Sequence, residues 1–214
     1  YIAQPPLYKI RKGKQEQYLK DELELAQYQT QAALEGASLH VNANAPGIAD
    51  EALQTLVSQY HEAFAIISRL ARLYPSELLE CMIYTPPLAE EDLKNEVKVS
   101  EWVEKLRQKL QETQAGVSAN YCLKVTENKE RSVFLPQSVH TLHGLQRSYT
   151  FSSEFFHSGE YIALAKLGDT LDGLIEEGAY IKRGEKTQEV STFVEAVDWL
   201  TRDAMKGHSL QRYK

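Results

Sequence analysis

The residues whose types could do chemistry are few and scattered. Six histidines raise metal binding first. His140 and His143 stand three apart, but they fall in or beside a predicted strand, where positions three apart face opposite ways. No Cys or acidic residue lies at ligand spacing from them, so no metal site is expected. Cys81 and Cys122 have neither a CxxC partner nor a basic cluster, and both read as core thiols. Asp169 and Asp172 share a helix face and read as solvated surface. The sequence contains no G-x-G-x-x-G, no Walker A loop and no Gly-x-Ser-x-Gly elbow. A small enzyme would need a pocket joining residues such as His140, Asp169 and Glu176, and nothing in their spacing asks for one. Trp102 and Trp199 lie on helical stripes and read as core rather than as stacking platforms. What remains is cationic. Lys182, Arg183 and Lys186 sit at a predicted hairpin tip, where they could touch phosphate; the plainer reading is a solvated turn.

The elements that must position these groups follow from periodicity. Tyr1-Ile2-Ala3-Gln4 reads as a short strand stopped by Pro5-Pro6. Residues 7–11 and 15–20 read as two strands around a Lys12-Gly13-Lys14 turn. A helix with acidic residues in its first turn starts at Asp21 and fades near Glu35-Gly36. Residues 38–41 are extended, and Asn42 to Gly47 form a loop. Leu53, Leu56, Val57, Tyr60, Phe64, Ile67 and Leu70 then recur at helical spacing, with Asp50 as a cap and Tyr74-Pro75 as the stop. A short helix over 76–84 and a longer one carrying Val99, Trp102, Val103, Leu106 and Leu110 follow. The period then switches to two. Residues 121–126, 132–142 and 145–151 predict an antiparallel meander. One more helix carries Tyr161, Leu164, Leu167, Leu171 and Leu174. A hairpin surrounds residues 183–186. Thr192 and Glu195 have capping-box spacing for a last helix, ended by Gly207, and residues 208–213 read as a final strand. The fold class is α+β.

Charge divides the chain. Lys9, Arg11, Lys12, Lys14 and Lys20 against Glu16 give residues 1–20 a net +4, and Arg212 and Lys214 give residues 207–214 a net +2. The whole chain is −6, which leaves −12 for residues 21–206. Basic ends and an acidic middle imply different partners, and the middle is repelled by nucleic acid on average. Two isolated cysteines suit a reducing compartment, and no apolar run reaches the length of a membrane span. The chain opens without Met and stops at Gln211-Arg212-Tyr213-Lys214, as a cut fragment would.

Two stretches carry a resemblance. Tyr1-Ile2-Ala3-Gln4-Pro5-Pro6-Leu7-Tyr8-Lys9, followed by Lys12-Gly13-Lys14, resembles the middle of the cleavage (TOPRIM) domain of type II DNA topoisomerase ATPase subunits. Gln211-Arg212-Tyr213-Lys214 resembles the opening of the Gln-Arg-Tyr-Lys-Gly-Leu-Gly-Glu-Met stretch of that family. In compact members the second closely follows the first. The long interval here is similar to the large insertion in gyrase B subunits of Gram-negative bacteria.

The resemblance implies residues 1–28 and 207–214 as two pieces of an α/β TOPRIM domain. Between them lies an insertion domain, residues 29–206, with amphipathic helices and an antiparallel sheet. It also implies a cytoplasmic subunit that pairs with the gyrase A subunit in an A2B2 assembly, hydrolyses ATP and negatively supercoils double-stranded DNA. Mg²⁺ would be held by a Glu and an Asp-x-Asp lying before Tyr1, and the nucleophilic Tyr belongs to the A subunit. No catalytic, cofactor or metal residue carries over to this chain, which alone should be inactive. Lys9, Lys12, Lys14, Arg212, Tyr213 and Lys214 match the basic side facing the DNA gate, where cations neutralise phosphate. The insertion is expected to couple ATP-driven motion to the gate and to contribute contacts to the A subunit, or to DNA through Lys182, Arg183 and Lys186. The alternative is a stand-alone acidic protein-interaction module with no DNA role.

Overall fold

The structure, a computed structural model, describes residues 7–113, 115–118 and 120–213. The expected strand at Tyr1–Gln4 lies outside the described residues. The elements in order are β1 (Tyr8–Lys12), β2 (Gln15–Leu19), α1 (Glu22–Leu34), β3 (Ala37–His40), β4 (Gly47–Ala49) and α2 (Asp50–Leu70). There follow α3 (Ser76–Ile83), a 3-10 turn (Glu90–Lys94), α4 (Glu96–Thr113), α5 (Ala115–Ser118), β5 (Tyr121–Asn128), β6 (Val133–Leu142) and β7 (Leu145–Thr150). The chain continues with α6 (Ser153–Phe156), α7 (Gly159–Leu171), β8 (Tyr180–Arg183), β9 (Lys186–Glu189), α8 (Phe193–Ala204) and β10 (His208–Arg212). The α+β class is confirmed: the three sheets among the described residues are antiparallel, and helices pack against their strands. None of the described helices is long and apolar enough to cross a membrane.

Side chains at the helix N-termini explain where several helices start. The Asp21 carboxylate accepts the Glu24 N–H at 2.8 Å, while Glu24 Oε2 accepts the Lys20 N–H, so two otherwise orphaned donors are satisfied. Thr192 accepts from the Glu195 N–H and Glu195 from the Ser191 N–H, which is the predicted box displaced by one donor. Ser158 caps α7 by accepting the Tyr161 N–H, without the reciprocal bond. Asp50 differs from expectation. It is the first residue of α2 rather than a cap in front of it, and its φ is +50°. Two further corrections concern short segments. The expected loop over 42–47 is followed by β4, and Leu174 lies beyond the end of α7.

The chain forms two compact units, with the division inside α2 after Ser58. The first unit takes the residues up to Ser58 and those from Gly173 onward. It holds a three-stranded sheet of order β10-β1-β2 and a four-stranded sheet of order β4-β3-β8-β9. Helices α1 and α8 pack on each other, α1 also against β3 and α8 against β8. Leu39 and Ile181 pair across β3 and β8 and are fully buried, with Phe193, Val197 and Leu200 of α8 also buried.

The second unit, Gln59–Asp172, is built from α3, α4, α7 and the meander β5-β6-β7. The predicted stripe of α4 is buried in full, as are Tyr161, Leu164, Leu167 and Leu171 of α7. Tyr74, Phe151, Phe155, Phe156, Tyr161 and Trp102 form a continuous aromatic cluster with centroid spacings between 4.7 and 5.6 Å. Polar tips of the cluster hold the segment before α4. Trp102 Nε1 donates to Pro86 O at 2.9 Å, and the Leu88 N–H donates to the Tyr161 hydroxyl at 2.8 Å.

Candidate nucleic-acid interface

The sheet β10-β1-β2 gathers both basic ends of the sequence. Strand alternation sends Tyr8, Ile10 and Leu19 to one face, where they are buried against Leu25, Tyr28 and Met205. Lys9 and Arg11 take the other face. A two-residue loop, Gly13-Lys14, joins β1 to β2, and its first position has φ +60°, which glycine supplies without a Cβ clash. The register places Glu16 directly opposite Arg11. Lys9 Nζ lies 2.7 Å from Glu16 Oε2 and 5.4 Å from the centre of the Tyr18 ring. That hydrogen bond holds the Lys9 pKa above, and the Glu16 pKa below, their ordinary values. Arg11 is a weaker partner of Glu16, at 3.9 Å, and its Nε donates to Gly13 O.

At the other end of β1, Arg212 pairs with Tyr8 across the strands. Its guanidinium stands over the Tyr8 ring and 3.5 Å from Glu22 Oε1, which also accepts the Tyr8 hydroxyl at 3.1 Å. Desolvation, then this carboxylate, raise the Tyr8 pKa. Tyr213 is exposed and donates its N–H to Leu7 O. Lys214 lies outside the described residues. Of the expected DNA-proximal residues, Lys12 and Lys14 lie at the loop end of β1, Arg212 and Tyr213 at its Tyr8 end, and Lys9 next to Tyr8 on the opposite face of the sheet. Lys12 and Lys14 are the exposed cations of the set that have no ion pair among the described residues. Lys12 lines a groove of about 750 Å³ together with Gln15, Gln17, Glu35, Asp50 and Glu51.

The hairpin β8–β9 places the other expected patch, and it does not present three free cations. Arg183 and Lys186 both turn to the carboxylate of Asp203 on α8, at 3.0 and 2.8 Å, and Lys206 joins them at 3.3 Å. Asp203 is only 4% exposed. The hydrogen bond from Lys186, with those from Arg183 and Lys206, outweighs burial and holds the Asp203 pKa at about 2. Lys182 points to the opposite face of its strand and stays exposed. Asp203 and Glu16 are the groups that reading along the sequence missed. Asp203 carried a signal, because it falls on the apolar stripe of α8 formed by Phe193, Ala196, Val197, Leu200 and Ala204.

The remaining candidates come apart. His140 stacks on Tyr121 at 4.4 Å, and His143 occupies the β6–β7 turn with φ +50°. No group of three His, Cys, Asp or Glu side chains among the described residues is arranged to hold a metal. Cys81 is buried, and desolvation pushes its thiol up to about 11, which suppresses the thiolate. Cys122 is exposed, correcting the expectation of two core thiols: it alternates with buried Leu123 and so faces outward from β5. Trp102 is core as expected, whereas Trp199 is half-buried. Glu176 accepts a hydrogen bond from Asn42 Nδ2.

Comparison with known proteins assigns two stretches of the chain to two family models. Residues 37–204 match the family model described as the DNA gyrase B subunit insert domain, and residues 6–34 match that described as GyrB, hook. Their limits coincide with element ends, since α1 closes at Leu34, β3 opens at Ala37 and α8 closes at Ala204. The chain is 40% identical over 80 residues, 37% of its length, to 10% of the DNA gyrase B subunit of Caulobacter vibrioides. It is 25% identical over its whole length to 26% of the DNA gyrase B subunit of Rickettsia bellii. It is 33% identical over 104 residues, 47% of the chain, to 12% of the type 2 topoisomerase B subunit of Aquifex aeolicus. The chain thus spans about a quarter of the length of the curated relatives it matches end to end.

Proposed function

The chain belongs to the DNA gyrase B insert-domain family, and from that premise we propose that it is an internal segment of an ATP-dependent type II topoisomerase subunit, in which the insertion couples ATP-driven motion to the DNA gate. The observation that carries this reading is the pairing of β10 with β1 along five residues of each strand. The chain leaves the small sheet through α1 and comes back beside its own first strand after the whole insert-matched stretch, as tolerated insertions do when their ends are neighbours. In this reading residues 1–28 and 207–214 belong to the TOPRIM domain of the subunit, and residues 29–206 are inserted into it. The full subunit would hydrolyse ATP, hold Mg²⁺ with residues outside this chain, assemble as A2B2 with the gyrase A subunit and act on double-stranded DNA. No residue here is assigned to Mg²⁺ or ATP, because the matched models are the hook and the insert. The segment alone would be catalytically inactive.

Lys12 and Lys14 are the cations best placed to meet phosphate, since Lys9 and Arg212 already face carboxylates. The acidic insertion favours protein contacts over DNA contacts, which supports a coupling role on or near the A subunit.

The test is the full subunit with its A partner and residues 36–204 replaced by a short linker. DNA-stimulated ATP hydrolysis, Mg²⁺-dependent cleavage and supercoiling are measured together. Retained cleavage with reduced supercoiling and reduced DNA stimulation is the expected result. Three unchanged activities would refute the coupling role.

A further inference from the structure

The Arg183–Asp203 cluster lies where the hook-matched and insert-matched stretches meet. Arg183 Nη1 donates to Asp203 Oδ2 on α8, while its Nη2 donates to Ala32 O in the last turn of α1, each at 3.0 Å. One guanidinium therefore joins the end of α1, in the hook-matched stretch, to α8, the last helix of the insert-matched stretch. The backbone repeats the link one residue on, with the Gly184 N–H donating to Gly36 O at 3.1 Å in the short connection between α1 and β3. Lys186 adds a second charge-assisted bond from the hairpin to Asp203. Lys206 also reaches Asp203, but from three residues along the same stretch of chain, so it joins nothing new.

These bonds are positioned to matter. The Asp203 side chain is 2% exposed and that of Arg183 19%, so water competes weakly for either. The last carbonyls of a helix lack intrahelical donors, and Ala32 O belongs to that last turn, so Arg183 supplies a donor where one is wanted. Asp203 is also the one acid on the buried stripe of α8, where a carboxylate is costly unless its partners are fixed.

We propose that the Arg183–Asp203 pair is a pin that fixes the β8–β9 tip and α8 against the end of α1 inside the first compact unit, and that supercoiling depends on this pin while strand cleavage does not. The proposal deepens the coupling reading and rests on it. Arg183 and Asp203 are positioning residues: they touch neither DNA nor nucleotide in this scheme, and act by keeping α1, the β8–β9 tip and α8 from moving independently.

The experiment uses the full subunit with its A partner and compares Asp203→Asn, Arg183→Met and Lys206→Met with the 36–204 replacement. The readouts are supercoiling, Mg²⁺-dependent cleavage, and amide hydrogen exchange over residues 32–36 and 183–186, all at a temperature where each variant remains folded by circular dichroism. Asp203→Asn and Arg183→Met should raise exchange in both segments at least about tenfold, because breaking one side of a buried pair opens the structure locally. The same two should lower supercoiling about tenfold or more while cleavage stays within about twofold. Lys206→Met, which removes a bond that spans no joint, should leave all readouts near wild type. Raised exchange with unchanged supercoiling would overturn the pin as a functional element while the coupling reading stood. So would equal loss in all three variants, which would point to general stability. If the 36–204 replacement itself supercoils normally, the coupling reading fails and the pin with it.

Discussion

Gly168→Ala should destabilise the protein, although the substitution is one that a helix ordinarily welcomes. Gly168 lies inside α7, and its φ is not in the left-handed region. Helix propensity alone predicts a gain of about 1 kcal/mol on replacing glycine with alanine. The neighbouring helix reverses the sign. A Cβ built at Gly168 would stand 2.0 Å from the carbonyl oxygen of Ile83, at the end of α3. Carbon–oxygen contacts are comfortable at about 3.3–3.6 Å, so the two backbones must part by more than about 1 Å. The obstacle is backbone rather than a side-chain tip, and Ile83 is itself 2% exposed, so neither side yields cheaply. Overpacking of this kind costs about 1–3 kcal/mol, and here the contact is closer than most, so the upper part of that range applies and the net loss is about 1–2 kcal/mol. Urea unfolding, followed by the fluorescence of Trp102 in the same unit, would show a midpoint lower by about 0.5–1 M at an m-value in the usual range. Gly159→Ala is the control. It lies at the start of the same helix with nothing within 4 Å of its Cβ, and should stay within about 0.5 kcal/mol of wild type. If Gly168→Ala matches or exceeds the stability of Gly159→Ala, the close approach of α7 to α3 is wrong.

Tyr161→Phe strips the Leu88 N–H of its acceptor in a buried place, and should cost about 1–3 kcal/mol in the same unfolding assay; a change below about 0.5 kcal/mol would mean the amide finds another partner. Lys12→Ala with Lys14→Ala in the holoenzyme should weaken DNA binding alike on all sequences and flatten the slope of log K against log salt by up to about 2. Lys9→Ala, which frees Glu16 at the same time, should act differently from either, and an unchanged slope in the double variant would remove both lysines from the interface. For Asp203, a carboxyl whose pKa falls on folding stabilises the fold fully above its unfolded value of about 3.9 and ceases to do so as pH falls through its folded value, about 2. The stability gap between wild type and Asp203→Asn should therefore be constant from neutral pH down to about 4 and narrow from there to about 2. A gap that persists at pH 2 would mean that Asp203 acts by packing rather than charge.

Much of the fold could be read from periodicity because each helix buries its own stripe locally. Val99, Trp102, Val103, Leu106 and Leu110 must all meet one surface, and they do. The meander was equally visible, since residues 121–126 and 145–151 alternate and a turn separates the later strands. The division of the chain inside α2 was not visible. Its apolar stripe runs without a break from Leu53 to Ile67, and periodicity records only that a residue is buried, not which core it enters. Cys122 shows the same limit at the scale of one residue. Its type favours burial, but Leu123 already occupies the inner face of β5, so alternation turns the thiol outward.

The cations of the candidate site could be picked out along the sequence, but their ion pairs could not. Lys9, Lys12 and Lys14 look equivalent as a run of cations, yet a hairpin register decides which of them meets Glu16, and that register depends on the two-residue loop at Gly13. Arg183 and Lys186 look like a solvated tip until α8 returns with Asp203, some twenty residues later along the chain. Net charge by segment therefore overstates what is available to a partner. An acid on an apolar stripe is the corrective signal, because burial obliges it to recruit cations from elsewhere in the fold. In this chain Arg183 and Lys186 already face Asp203, and Lys12, Lys14 and Lys182 are the exposed cations of the two expected patches that have no ion pair among the described residues. A DNA contact made by the insertion through its hairpin would have to work against a middle carrying −12 with two of its three cations already facing Asp203, which is the physical ground for proposing a protein surface rather than a duplex as its partner.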